Sequence, residues 1–187
     1  MQDPDDVLAV AATRRWLERA VIGLNLCPFA KAVYVKEQVR YVVSPAHTAE
    51  ALRAELEREL QWLAAADPAK TDTTLLIHPH VLQDFLDYND FLDEADRLLA
   101  DLGLEGELQV ASFHPRYQFA GTGEADIENC TNRSPYPMLH LLREASIDRA
   151  VAAFPETDAI YEANMQTLRA LGREGWDRLM TKDEGAR

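Results

Sequence analysis

Three histidines fall where apolar runs end. His78 and His80 flank Pro79, and His114 closes another apolar run and is again followed by a proline, Pro115. If the chain stays extended through 78–80, both imidazoles project to one side. With His114 they would offer three nitrogen ligands, a donor set suited to a catalytic zinc or iron with an open position. Without a metal, His78 and His114 suit acid–base chemistry, because imidazole titrates near neutrality. The plainer alternative is that the rings hydrogen-bond the strand ends.

A second set lies within residues 112–144. Arg116, Arg133 and Arg143 could hold an anion, since guanidinium presents a planar fork matched to carboxylate or phosphate. A helix start after Ser134 would ordinarily add free N–H groups, but Pro135 and Pro137 remove two of them. An anion bound there must lean on side chains: Arg133 first, with Asn129, Asn132, Thr131 and Tyr117 beside it. The alternative reading pairs each arginine with a nearby carboxylate such as Glu124, Asp126 or Glu128. On a helix beginning at Pro135, Met138, Leu141, Leu142 and Ala145 make an apolar stripe. His140 and Glu144 then stand one turn apart on the other side, as an acid–base pair or a surface hydrogen bond. Cys27, held before Pro28, is a candidate nucleophile if a cation such as Lys31 lowers its pKa, and otherwise a packed thiol. Gly121-Thr122-Gly123 is too short for a phosphate loop and reads as a bend.

The elements that must position these groups follow from periodicity. Residues 5–22 read as a helix with Val10, Thr13, Leu17, Ala20 and Leu24 on one face, closed by Gly23. Residues 38–43 (QVRYVV) read as a strand and 46–66 as a helix with Leu52, Leu56, Leu60 and Leu63 in its stripe. A second strand is expected over 73–78, a helix over about 81–102, and a third strand over 108–114. The aspartates at 84, 87, 90, 93 and 96 fit a solvated helix face rather than a metal site. Residues 115–134 show no period, and a connection of that length is usually functional or disordered; the aromatic and amide content argues against disorder. Helices are expected from Pro135 to about Ala152 and again after Pro155, where Ile160, Asn164, Leu168 and Leu171 share a face. The tail 181–187 reads as frayed. Strand–helix alternation predicts one α/β domain over residues 1–187, with a small, mostly parallel sheet of three or slightly more strands, flanked by helices and extended by N- and C-terminal helices. His78 and His114 would then end neighbouring parallel strands, at the edge where open sheets bind ligands.

Composition bounds the function. A formal net charge of −13 opposes phosphate backbones, so nucleic acid is not an expected partner. Two cysteines, Cys27 and Cys130, are too few for a disulfide framework in 187 residues. No apolar run is long enough to span a bilayer, and the first ten residues lack a signal-peptide pattern. The expectation is a cytoplasmic protein with no membrane partner.

Three segments carry a resemblance: WLERAVIGLNLCPFAKAV (16–33), FHPRYQF (113–119) and TNRSPYPMLHLLREAS (131–146). In content and order the chain resembles an uncharacterised bacterial family, domain of unknown function 1415, which implies no particular reaction. Cys27-Pro28-Phe29-Ala30 is also similar to the tetrapeptide that opens a helix in omega-type glutathione transferases, a likeness that would require a strand over 21–26.

From the residues themselves, the expected function is a small-molecule enzyme that takes an anionic substrate at the strand C-termini under the 115–134 loop. His78 and His114 would be its acid–base groups or ligands for zinc or iron, and Cys27 its possible completion. The alternatives are a non-catalytic module binding a metabolite or protein, and thiol chemistry at Cys27.

Overall fold

The computed structural model describes residues 4–153 and 157–181. In chain order it contains α1 (Pro4–Trp16), a π-helical turn (Leu17–Ile22), α2 (Ala30–Val35), β1 (Val39–Val43), α3 (Ala49–Ala65), β2 (Thr73–Ile77), α4 (Phe85–Asp101), β3 (Leu108–Phe113), a 3-10 segment (Ile127–Asn132), β4 (Met138–Arg143), α5 (Glu144–Ala153) and α6 (Thr157–Met180). Pro155 and the tail from 182 lie outside the described residues. No helix among the described residues is long and apolar enough to cross a membrane.

The sheet is mixed and four-stranded, in the order β1-β2-β4-β3. β1 and β2 are parallel, while β4 runs antiparallel to both β2 and β3 and separates them. The mostly parallel three-stranded expectation is therefore corrected. Its cause is the run Met138–Arg143, read from its apolar spacing as part of a helix. A six-residue apolar run is too short for period to separate helix from strand. The β-ladders on both sides then settle it as a strand, and the helix begins only at Glu144.

The two faces of β4 meet different layers. Leu139 and Leu141 join Leu76 and Leu108 beneath α3 and α4, whose stripes Leu52, Leu56, Leu60, Leu63 and Tyr88, Ala95, Leu98 are buried against the sheet. Burying each such side chain stabilises the fold by about 1.5–3 kcal/mol. Thr48 caps α3 by accepting from the Ala51 N–H at 3.2 Å. Asp84 caps α4 through the N–H groups of Leu86 and Asp87, so the first of the five aspartates is a cap, while 87, 90, 93 and 96 are solvated as expected. On the other face Met138 packs with Leu75, Ile77, Trp16, Leu17, Ala20 and Val21, and with Leu168 and Trp176 of α6.

The first helix departs from a uniform 3.6-residue period. Its last turns widen to π geometry, with Gly23 N–H donating to the Glu18 carbonyl and Leu26 N–H to that of Val21. The added residue per turn brings Trp16, Leu17, Ala20 and Val21 inward together, while Val10 and Leu24 of the expected stripe are only partly buried. A Cβ at Gly23 would lie 2.3 Å from the Arg19 carbonyl oxygen, so no other residue fits that turn unmoved. There is no strand over 21–26, which removes the transferase likeness. Within α6, Gly172 takes φ 67° and joins two helical stretches at a kink that a side chain would strain.

Tyr88 ties these layers together. Its fully buried hydroxyl donates to the Met138 carbonyl at 2.8 Å and accepts from the Phe113 N–H at 3.1 Å, joining α4 to β4 and β3. Tyr88→Phe removes both bonds without changing the packing of the ring. We expect a loss of about 1–3 kcal/mol in urea unfolding, with an unchanged denaturant slope; an unshifted midpoint would contradict the bridging role.

Candidate functional site

At the C-terminal edge of β2 and β3, His78 and His114 are both within 1% of full burial. His78 Nδ1 lies 3.0 Å from the Val81 carbonyl, and its Nε2 has no partner among the described residues. Burial lowers its pKa to about 4, so the ring is neutral at pH 7 and Nδ1 carries the donated proton. His114 uses both nitrogens on backbone: Nε2 meets the Leu82 carbonyl at 3.1 Å and Nδ1 accepts from the Arg116 N–H at 3.0 Å. Its pKa too is lowered, chiefly by burial. Tyr88 stacks on His78 with centroids 5.8 Å apart and lies tilted against His114 at 5.0 Å. His80 is exposed and stacks on His47 instead. The expected three-histidine metal set is thus not formed. Among the described residues no three His, Cys, Asp or Glu side chains are grouped to hold a metal ion.

The 115–134 loop is ordered by the residues expected to bind a substrate. Asn129 is fully buried; its Oδ1 accepts from the Phe119 N–H and the Thr122 hydroxyl, and its Nδ2 donates to the Gly123 carbonyl. Asn132 Nδ2 donates to the Ser112 carbonyl at 3.0 Å. Arg133 donates to the carbonyls of Tyr117 and Glu124, and the Tyr117 ring packs between Phe85 and Phe119. Arg116 pairs with Glu124 at 3.4 Å on the surface. Arg143 is elsewhere. Buried at the far end of β4, it donates to the carbonyls of Leu63, Ala66 and Thr71, closing the C-terminus of α3. The three arginines do not converge on one site.

A different site lies on the opposite face of the sheet: a cavity of about 340 Å³, partly open to solvent. Its floor is Leu75, Ala111, Phe113, His140 and Leu142. Its walls are Trp16 from the end of α1, Leu17 and Val21 from the π turn, Cys27, Phe29, Ala30 and Val33 from the following loop and α2, and Ile147 and Ala150 from α5. Protein interiors are packed with few voids larger than a water molecule. The size falls at the lower end of the roughly 300–1,000 Å³ typical of ligand pockets.

His140 is the polar point of that floor. It sits in mid-sheet, facing Leu75 on β2 and Ala111 on β3 in register. Its Nε2 lies 2.7 Å from Thr73 Oγ1, and the Thr73 hydroxyl donates its single proton to the Leu141 carbonyl at 2.6 Å. Thr73 must therefore accept, which assigns the proton of the neutral ring to Nε2 and leaves Nδ1 as a bare lone pair. Burial lowers the His140 pKa to about 4. Beside it, Asp72 Oδ1 accepts from the Ser146 hydroxyl at 2.6 Å. The loop carrying Cys27 is pinned by Asn164 of α6, whose Nδ2 donates to the Leu26 carbonyl at 2.9 Å.

Cys27 is half-buried in the cavity wall, whereas Cys130 is fully buried and its thiol pKa is raised by burial. Glu144 starts α5, where its N–H donates to the Glu107 carbonyl. Because His140 lies on a strand and Glu144 on the next helix, the one-turn pair expected from a helix at Pro135 does not exist. Asp72, Thr73, Ser146, Asn164 and Trp16 were not singled out from sequence. Asn164 offered a signal, being an amide within an apolar helical stripe; the others become neighbours only through the sheet.

Fold and site together define a mixed-sheet α/β protein with an apolar ligand-sized cavity and one neutral histidine in its floor. The chain belongs to the family described as protein of unknown function (DUF1415), whose model matches residues 8–178. No curated protein and no solved structure matches it.

Two measurements check this geometry. N-Ethylmaleimide should modify one thiol of the native protein, Cys27, and two in urea; labelling of Cys130 in the native state would contradict its burial. The second concerns pH. A histidine whose folded pKa is about 4 binds its proton more weakly than the unfolded chain, whose value is near 6.5. Its contribution is therefore fully present above pH 6.5 and is lost as pH falls toward 4, at about 1.4 kcal/mol per pH unit for each such group. His78→Gln should flatten the pH dependence of the urea midpoint between pH 6.5 and 4, and an unchanged slope would contradict a buried neutral imidazole.

Proposed function

We propose that this protein binds a compact, largely apolar small molecule in the cavity between the sheet and the π turn, with His140 as its polar anchor. The observation that carries the reading is a ligand-sized void whose apolar lining is interrupted in mid-floor by an imidazole with one uncommitted nitrogen. Water would find few partners there, so an apolar occupant gains by displacing it. Nδ1 then accepts a hydrogen bond from a ligand hydroxyl or N–H, which fixes orientation, and the same lone pair is the group through which a proton of the bound molecule would be taken. This places the site away from the 115–134 loop, whose arginines and amides are engaged with the protein's own carbonyls and carboxylates.

The test is titration with the neutral dye N-phenyl-1-naphthylamine, which fluoresces in apolar surroundings. Wild type should bind it saturably and, when loaded, lose N-ethylmaleimide labelling at Cys27. Ala150→Trp, which fills the cavity from α5, should weaken the dye by about tenfold or more while leaving the melting temperature within a few degrees. Equal dye binding by the filled variant, or Cys27 labelling indifferent to the dye, would overturn the reading.

A further inference from the structure

The polar groups along the cavity are unequal in kind. Apart from the weakly donating Cys27 thiol, their side-chain hydrogens are spent inside the protein: Ser146 donates to Asp72, Thr73 to the Leu141 carbonyl, and His140 Nε2–H to Thr73. The Trp16 indole N–H is buried and has no partner among the described residues. What remains toward a ligand is lone pairs, on His140 Nδ1 and on Asp72 Oδ2, neither of which makes a hydrogen bond among the described residues. Asp72 is also the one charged side chain among the described lining residues; no lysine or arginine is part of it. Arg149 is a competitor for the same groups. It reaches Ser146 Oγ at 2.9 Å from the exposed side of α5, outside the lining, and makes no ion pair with Asp72 among the described residues.

We propose that the cavity selects a hydrophobic amine: a molecule whose apolar body fills the space over the sheet and whose cationic, hydrogen-donating head lies against Asp72 and within reach of His140. The inference rests on the cavity reading above and adds the class of ligand. A carboxylate head would meet a negative charge and two acceptors with no cation to receive it, and desolvating it there is unfavourable. An ammonium head meets one opposite charge and lone pairs suited to its three N–H groups.

Displacement of N-phenyl-1-naphthylamine by n-octylamine, octan-1-ol and octanoate at pH 7 decides the matter. These ligands share a chain and differ in head group. Octylamine should displace the dye at a concentration about tenfold or more below octanoate. The net charge of −13 draws cations to the whole surface, so the ratio is read again in Asp72→Asn, an isosteric change that keeps an acceptor for Ser146. There the octylamine-to-octanoate preference should collapse to within about threefold. Octanoate equal to or better than octylamine in wild type would overturn the proposal and point to Arg149, and a preference that survives Asp72→Asn unchanged would overturn it too. In either case displacement by octan-1-ol shows that the cavity reading stands. If none of the three displaces the dye, the cavity reading fails and this proposal with it.

Discussion

The position of β4 controls the rest of the structure. A strand running against its neighbours has been inserted between β2 and β3. That insertion brings His140 to mid-sheet and puts successive side chains of one short run to opposite uses. Leu139 and Leu141 close the core under α3 and α4, and Arg143 on the same side ends α3 by gathering its carbonyls. Met138, His140 and Leu142 face the other way, toward the N-terminal helices. A one-residue slip in this register would bury Arg143 under the wrong layer and turn His140 into the leucine core. Tyr88 opposes such a slip, because its hydroxyl is bonded to backbone atoms of both β3 and β4.

The second face is less tightly closed than the first. α3 and α4 lay leucine stripes on the sheet, whereas the opposite layer comes from a helix that widens to π geometry, a short loop and the start of α5. π turns occur frequently at functional sites, and here the turn delivers Leu17 and Val21 to the cavity wall, beside Trp16 at the end of α1. Asn164 holds the next loop by a single buried amide-to-carbonyl bond, so the wall bearing Cys27 depends on α6 docking.

Much of the scaffold was legible from sequence because its signals are local. β1, β2 and β3 and the helices α3 and α4 fall within a few residues of their expected spans, each marked by a run of uniform period and a proline or capping residue. β4 was not legible: Pro135 and Pro137 resemble a helix start, and MLHLLR fits a helical stripe as readily as a strand until its ladder partners are known. That one misreading paired His140 with Glu144 on a single helix face. Buried backbone carbonyls and N–H groups need partners, and His114, Asn129, Asn132 and Arg133 near the sheet edge, and Arg143 at the far end of β4, supply them. The cavity itself could not be read, since its lining comes from segments spread between Trp16 and Ala150 that only the sheet brings together.

The most direct test of this account is the state of one ring. Long-range ¹H–¹⁵N NMR of histidine-labelled protein at pH 6 reports the protonation and tautomer of His140 and the hydrogen bonding of its Nδ1. The account predicts a neutral Nε2–H imidazole whose unprotonated Nδ1 resonance shifts on saturation with octan-1-ol, as a lone pair does when it accepts a hydrogen bond. An imidazolium at that pH, an Nδ1–H tautomer, or an Nδ1 resonance that does not move with the alcohol bound would contradict a ligand cavity anchored at His140.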